Sequence, residues 1–261
     1  TSNVLKGSTR TAAGAWATAN SRNAAMRHFF GTGNVPTTIT AGGQNTPGAQ
    51  SGVTEIFDGT SWTEVSDLNT ARAYAGMSGD STAALASGGQ APGSGALTEI
   101  WNGSGWTEVN DLNTSRFSAT GAGSSTSALA IGGRVSPPYI ANTEQWNGTN
   151  WTEVNDLNNG RAKASSQGIV TAAVIAGGEP APAGTLTELW NGSNWTEVNE
   201  LNTNRASSGS TAGSDYTSFL VFGGSPPPGS PVKANTEQWN GTNWTEVADL
   251  ATARLALGGS G

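Results

Sequence analysis

The chain contains no cysteine among its 261 residues and only one histidine, His28. Without thiols it can form no disulfide, no thiolate nucleophile and no cysteine-ligated metal site. Charged residues are also scarce, at 12%, and 19 acidic residues outnumber 12 basic ones, which gives a net charge of −7. Because a phosphate-binding protein needs clustered Lys and Arg, nucleic acid is not an expected partner.

Long apolar runs are missing as well. No stretch approaches the roughly eighteen apolar residues that a membrane-spanning helix needs, so membrane insertion is not expected. The first residues, Thr1 to Lys6, lack the apolar segment of a signal peptide and do not begin with Met. We therefore expect a processed, excised or trimmed chain.

Glycine and tryptophan, in contrast, are abundant, with 37 and 10 residues. By composition alone, a chain rich in Gly, Ser and Thr and low in hydrophobic residues is compatible with disorder. The indoles argue against disorder, because each offers a large apolar surface that folding must bury. The composition therefore favours a turn-rich β-sheet protein over a helical bundle.

Three sequence markers recur every 44 to 49 residues. A Gly-Gly pair ends an apolar run, a Trp opens a Trp-Thr-Glu-Val segment, and an Arg follows that Trp by 10 residues. A period of this length predicts an architecture in which each repeat is one small structural unit. The Gly pairs begin at Gly42, Gly88, Gly132, Gly177 and Gly223; the Trp markers are Trp62, Trp106, Trp151, Trp195 and Trp244; the Arg markers are Arg72, Arg116, Arg161, Arg205 and Arg254.

Each repeat contains four short strand patterns. In the repeat that begins at Arg116, a small-residue segment is followed by an apolar run over 128–131, which ends at the Gly pair. The third and fourth patterns, 143–146 and 151–154, flank Asn147-Gly148. Since Asn-Gly supplies the positive φ that tight hairpins require, the four strands are expected to be antiparallel. Such units repeated around an axis predict the blades of a β-propeller.

The order of the markers resembles the Kelch repeat, in which a double Gly is followed by Glu and an aromatic residue, then Trp, then Arg. The resemblance covers nearly the whole chain and implies a Kelch-like propeller. It departs from the family at Trp101, Trp146, Trp190 and Trp239, and at Phe57, where Kelch repeats usually carry Tyr. The repeat NTEQWNGTNWTEV, at 142–154, is also similar to repeats in structural proteins of marine tailed phages, which implies a virion protein.

We expect a single all-β propeller domain over residues 1–261, with six blades. Five units begin near residues 27, 72, 116, 161 and 205, the first of them marked by a weaker copy of the motif at Arg27. The remaining pieces, residues 1–20 with Trp16 and residues 254–261, are expected to share a closing sixth blade. A ring closed by strands from both termini leaves no free sheet edge. A five-bladed ring with loose ends is the alternative.

Two columns of Glu run through the repeats, one on the third strand and one on the fourth. Strand parity puts both columns and the paired indoles on one face of each hairpin, which we interpret as blade packing. Because neighbouring carboxylates repel, we expect the repeat Arg to form ion pairs with them. A glycosidase pair is disfavoured, since it should occur once and this arrangement occurs five times. The first column is Glu55, Glu99, Glu144, Glu188 and Glu237, and the second is Glu64, Glu108, Glu153, Glu197 and Glu246.

No set of catalytic residues emerges, and we expect no enzymatic activity, no cofactor and no metal. His28 is the only possible imidazole base, and the chain has no Gly-x-Ser-x-Gly motif. Copper oxidases of the galactose oxidase type also use Kelch-like blades, but they would need a Cys–Tyr crosslink and two His. The turn carboxylates, such as Asp111 and Asp156, offer too few oxygens per loop for calcium. We interpret His28 as a structural residue.

Sequence variation is concentrated between the second and third strands of each repeat. These Pro-rich segments differ in length, and they should emerge on the same side of the ring as the links that enter each blade. The opposite face would consist of repeated Asn-Gly turns. The candidate contact residues are Arg134, Pro138, Tyr139, Glu179, Pro182, Pro227 and Lys233. Tyr139 is the strongest of them, because exposed Tyr often anchors an interface.

These features favour a non-enzymatic structural or binding module on a virion (a phage tail, capsid or appendage) or on another extracellular surface. Its expected partners are a protein or glycan surface and, in a virion, other subunits. A lectin-like carbohydrate-binding propeller is one alternative and should show an equivalent shallow pocket at every blade. A peptide-binding Kelch adaptor is another and should show a basic or polar pocket at the mouth of the channel.

Overall fold

The computed structural model describes residues 20–34, 36–90, 95–227 and 231–255. Within these ranges every regular element is a β-strand, and the strands form five four-stranded antiparallel sheets. Each sheet consists of four strands that are consecutive along the chain. The prediction of an all-β propeller with four-stranded antiparallel blades is confirmed. No helix that could span a bilayer occurs in this part of the chain.

We number the strands β1 to β20 in chain order, with the first strand of each blade nearest the axis. Blade 1 comprises β1 (Phe30–Asn34), β2 (Thr37–Ala41), β3 (Thr54–Phe57) and β4 (Trp62–Val65). Blade 2 comprises β5 (Gly76–Gly79), β6 (Ala84–Ser87), β7 (Thr98–Trp101) and β8 (Trp106–Val109). Blade 3 comprises β9 (Thr120–Gly123), β10 (Ala128–Ile131), β11 (Thr143–Trp146) and β12 (Trp151–Val154). Blade 4 comprises β13 (Ser165–Ile169), β14 (Ala172–Ala176), β15 (Thr187–Trp190) and β16 (Trp195–Glu197). Blade 5 comprises β17 (Gly209–Ser210), β18 (Phe219–Phe222), β19 (Thr236–Trp239) and β20 (Trp244–Val247).

The prediction of six blades is wrong, because the described residues form a propeller of five. Of the two pieces assigned to a closing blade, Asn20, Arg254 and Leu255 are described and none lies in a strand; the rest falls outside the described residues. The reason for the miscount lies in the residues that follow Asn20. Asn23 donates its backbone N–H to Glu55 at 2.8 Å and its side-chain amide to the carbonyl of Trp62 at 2.8 Å. This segment therefore packs on blade 1 as the incoming link does on every other blade.

The apolar core lies between neighbouring blades. Leu129 and Ile131 of blade 3 pack with Ile175, Trp190 and Trp195 of blade 4 in one buried cluster. All four residues of β10 are buried, because a second strand has a neighbouring blade on each face. In the outermost strand β12 only the first residue is buried; Thr152 and Glu153 are exposed, and Val154 is half-buried against the core.

In blades 2 to 5 the two indoles of the outer hairpin lie directly opposite each other, and in blade 1 Phe57 lies opposite Trp62. Trp146 pairs with Trp151 across β11 and β12, with ring centroids 5.4 Å apart and planes inclined by 45°. Trp151 also joins its blade to the preceding one, because its indole N–H donates to the hydroxyl of Thr98 at 3.1 Å. The same bond joins Trp106 to Thr54, Trp195 to Thr143 and Trp244 to Thr187.

A buried ion pair fixes the link that enters each blade. Arg161 Nη2 lies 2.9 Å from Glu188 Oε1, and both side chains are fully buried. Glu188 also accepts the backbone N–H of Asn158 in the same link at 2.9 Å. Burial lowers the pKa of Arg161, and the Glu188 carboxylate opposes this by favouring the charged form. Equivalent pairs join Arg72 to Glu99, Arg116 to Glu144 and Arg205 to Glu237.

Some residues that were expected to form ion pairs do not form them within the described part of the chain. The second Glu column is exposed, because β4 and its equivalents are the outermost strands; Glu153, for example, accepts a bond from Asn142. Arg254 has no carboxylate within 4 Å among the described residues. In blade 1 the sequence marker Arg27 is exposed, and Arg22 forms the buried pair with Glu55 at 3.2 Å. Arg22 thus supplies the guanidinium from five residues earlier in the chain.

Candidate functional site

A channel runs along the propeller axis and encloses about 560 Å³. The innermost strands β1, β5, β9, β13 and β17 line it. Their side chains are small and mostly polar, such as Thr32, Ser78, Thr120 and Ser166. The close packing of these strands requires small residues: a Cβ on Gly121 would lie 2.6 Å from Ser78 Oγ in the neighbouring blade. The result is a narrow channel whose walls consist of hydroxyl groups, backbone and some apolar side chains, such as Met77 and Ile169.

One mouth of the channel is formed by a ring of residues in the left-handed backbone conformation. Each blade contributes one residue, which stands two positions before its first strand begins, and all five line the channel. Their φ angles lie between 53° and 60°. This conformation costs an L-residue about 1–2 kcal/mol and is normally assigned to Gly. The mouth ring consists of His28, Tyr74, Ser118, Lys163 and Ser207.

Backbone hydrogen bonds between adjacent blades hold the mouth ring in this conformation. Ser118 N–H donates to the carbonyl of Tyr74 at 2.7 Å, and Lys163 N–H donates to the carbonyl of Ser118 at 2.9 Å. The same bond joins Tyr74 to His28 and Ser207 to Lys163. The backbone is therefore equivalent from blade to blade, whereas the side chains differ. A chain with 37 glycines places none of them at these five positions.

Aromatic contacts organise one side of the mouth. The rings of His28 and Tyr74 stack with centroids 4.2 Å apart, and Tyr74 meets Phe117 edge-on at 6.3 Å. The guanidinium of Arg134 lies over the Phe117 ring, 4.7 Å from its centroid. Burial, together with the positive charges of Arg27 and Lys163, lowers the pKa of His28 to about 4. The imidazole is therefore neutral near pH 7.

A single carboxylate connects two cations beside the aromatic group. Glu179 Oε1 lies 2.9 Å from Lys163 Nζ and 3.7 Å from Arg134 Nη1. All three side chains are partly exposed, at 15%, 27% and 32% for Glu179, Lys163 and Arg134. We call Phe117, Arg134 and Glu179, which extend the mouth ring outwards, the loop arc. The loop arc and the mouth ring together offer cations, hydroxyl groups and an aromatic surface, which are groups suited to binding.

The structure brings only some of the sequence-predicted contact residues together. Arg134 and Glu179 meet in the loop arc, and Tyr139 pairs with Arg134 through the backbone of the same loop. Tyr139 is half-buried, so it differs from the exposed anchor that the sequence suggested. The remaining candidates do not line the channel: Pro138 and Pro182 are exposed, and Pro227 and Lys233 are half-buried.

Sequence reasoning missed the mouth ring. Four of its members stand two residues after the repeat Arg, as Tyr74 follows Arg72 and Lys163 follows Arg161, and His28 directly follows Arg27. A signal was available, because this is a position at which an otherwise regular motif changes from one repeat to the next. The interpretation of His28 as merely structural overlooked that it belongs to this series.

No protein-family model matches the chain, and no curated protein matches it. The Kelch resemblance and the likeness to phage proteins therefore stay predictions from the repeat. Among the described residues, no group of three or more His, Asp or Glu side chains is arranged to hold a metal ion.

Proposed function

We propose that the protein is a non-enzymatic binding module that contacts a partner through the mouth ring and the loop arc. The proposal rests on the observation that residues other than Gly occupy all five positions of the mouth ring. Left-handed positions filled by His, Tyr, Ser and Lys, where Gly would remove the strain, are stable only because the surrounding structure enforces them. Strain of this kind clusters at functional sites, and here it keeps five side chains at one opening.

The opposite face of the propeller supports this choice by contrast. Its hairpin turns are repeated and satisfy their own polar groups: Asn147 Oδ1 accepts the N–H groups of Thr149 and Asn150, both at 2.9 Å. The same bonds recur in the turns at Asn191 and Asn240. These outer turns, which repeat and bond internally, offer little that is specific to a partner; the inner turns of the same face, such as 80–83 and 211–218, differ in length.

The chemistry of the mouth favours binding over catalysis. The imidazole of His28 stacks on Tyr74, and Glu179 is held between two cations. A general base needs to lie within hydrogen-bond reach of a nucleophile or a substrate proton. Neither group has such a nucleophile beside it among the described residues, so we propose a role in recognition.

We place this module on an extracellular surface, and specifically on a virion as part of a phage tail, capsid or appendage. The support is the likeness of the repeat to phage structural proteins, together with the acidic, cysteine-free composition. Mass spectrometry of purified virus particles from the source organism tests this placement. A second test is whether capsid and tail genes neighbour the gene that encodes the chain. Detection among the virion proteins is expected; an intracellular location in the absence of any particle would contradict it.

The binding face is tested by paired surface variants. The double variant Tyr74→Ser/Arg134→Ser removes the aromatic and cationic groups of the mouth, and Thr60→Ala/Thr149→Ala alters the opposite face as a control. We would measure retention of each labelled protein on a glycan array and on immobilised cell-envelope proteins. Loss of retention in the first variant alone is expected. Equal retention by both would exclude this face as the contact surface.

A further inference from the structure

The channel mouth has an excess of positive charge on an acidic protein. Lys163 lines the mouth, Arg134 lies 3.7 Å from the Glu179 carboxylate that pairs with Lys163, and Arg27 precedes His28 in the chain; the other carboxylate of the channel, Asp80, lies in the turn after β5 at the opposite end. Three cations against one carboxylate leave an excess of two positive charges, although the chain carries a net charge of −7. A concave site with one sign of charge attracts ligands of the other sign. The mouth therefore favours an anionic group.

A second, independent feature marks the position of that group. Ser118 lines the channel and is only 6% exposed, yet its hydroxyl has no hydrogen-bond partner among the residues that the structure describes. A buried polar group left without a partner costs about 1–3 kcal/mol, so such groups are rare without a reason. The next member of the ring is Lys163, whose backbone N–H donates to the Ser118 carbonyl. The ammonium group of Lys163 lies 2.9 Å from Glu179 Oε1 in an ion pair and carries three donor protons.

The channel below the mouth indicates what the rest of the ligand is like. Its walls carry Thr32, Ser78, Thr120 and Ser166, and their hydroxyl groups already bond to neighbouring blades in part. Peptide recognition in clefts relies on apolar pockets for side chains or on a free strand edge. This narrow hydroxyl-lined channel suits a compact polyhydroxylated group. Tyr74 adds an aromatic ring at the entrance.

From these features we infer that the mouth ring binds an acidic sugar, a monosaccharide unit that carries a carboxylate. The carboxylate pairs with the ammonium group of Lys163 and accepts a hydrogen bond from the hydroxyl of Ser118. The sugar hydroxyls bond within the channel, whose volume of about 560 Å³ suits a ligand of this size. This inference rests on the proposed function and names the ligand class of the same site.

The test compares two sugars that differ only in the acid group. Methyl glucuronide carries the carboxylate, and methyl glucoside is its neutral counterpart. Isothermal titration of the full chain should show glucuronide binding with at least tenfold higher affinity. Lys163→Met should weaken glucuronide binding at least tenfold, and Ser118→Ala should weaken it several-fold without affecting the fold. Lys233→Met removes one cation from the same face away from the channel, and it should bind as the unaltered protein does.

Several outcomes would overturn the inference. They are equal affinity for the two sugars, equal losses in Lys163→Met and Lys233→Met, no binding of glucuronide at about 10 mM, or tighter binding of a tetraglutamate peptide than of glucuronide. If sugar binding fails while Tyr74→Ser/Arg134→Ser still abolishes retention on a partner, only the ligand class is wrong. If that double variant also has no effect on retention, the proposed binding face is wrong too.

Discussion

The indole N–H of Trp151 donates to the hydroxyl of Thr98 in the preceding blade, at 3.1 Å, with both groups buried. The bond recurs at four blade boundaries and ties the outermost strand of one blade to the third strand of the blade before it. Thr236, at the equivalent position in blade 5, has a buried hydroxyl without a partner in the described part of the chain. Thr236 therefore serves as a matched control for Thr98.

Replacement by valine should lower the free energy of unfolding at Thr98 but not at Thr236. Thr98→Val leaves the buried indole N–H of Trp151 unpaired and should lower the free energy of unfolding by about 1–2 kcal/mol. Thr236→Val removes a hydroxyl that has no partner and should leave the stability unchanged or raise it. Urea unfolding followed by tryptophan fluorescence measures both. Equal destabilisation of the two variants would show that the bond contributes nothing beyond packing.

Replacing the Arg of a buried ion pair should lower the free energy of unfolding far more than replacing Arg254. Arg116→Met leaves Glu144 buried without its cation and should cost about 3–5 kcal/mol. Arg254 occupies the same repeat position, but it is only half-buried and has no carboxylate within 4 Å in the described part of the chain. Arg254→Met should change the free energy of unfolding by less than about 0.5 kcal/mol. Similar losses in both variants would mean that the guanidinium packs rather than pairs.

Glycine at the mouth ring should stabilise the protein. Ser207 has a φ of 53°, so Ser207→Gly relieves the strain of the left-handed conformation, and it loses no side-chain hydrogen bond to another described residue. The added backbone entropy of the unfolded chain offsets part of this gain, and we expect a net increase of about 0.5–1 kcal/mol. The reference variant is Ser207→Ala, which keeps the strain and should be no more stable than the unaltered protein. A destabilising Ser207→Gly would show that the ring is not strained.

Stability should fall on mild acidification because of His28. Its folded-state pKa of about 4 lies below its ordinary value of 6.5, so the unfolded chain takes up the proton first. The contribution of His28 is therefore fully present above pH 6.5 and is lost as the pH falls from about 6.5 to about 4. The variant His28→Gln should show a flatter dependence of the urea midpoint between pH 7 and pH 5. Identical slopes would mean that the imidazole titrates normally.

The repeat units were predictable because their markers are chemically distinctive. Asn147-Gly148 specifies a tight hairpin, and Trp146 and Trp151 require burial, so strand positions followed from the sequence alone. The number of blades was not predictable, because it depends on the residues at the ends, where the motif is degenerate. Arg22 shows the difficulty: it forms the buried pair of blade 1 although the motif pointed to Arg27.

The candidate site was only partly predictable for a different reason. Arg134 and Glu179 were identified from loop variation, and they do meet at the loop arc. The mouth ring depends on backbone conformation. The residue types at His28 and Ser118 do not by themselves predict a left-handed φ. The strain that marks these positions exists only once the blades are in place.

The most direct test of the whole account is to measure affinity and stability in one variant, Ser118→Gly/Lys163→Gly. If the ring keeps its side chains for binding at a cost in strain, this variant should unfold at the same or a higher urea concentration and should lose glucuronide binding at least tenfold. A variant that binds glucuronide as well as the unaltered protein does would contradict the account.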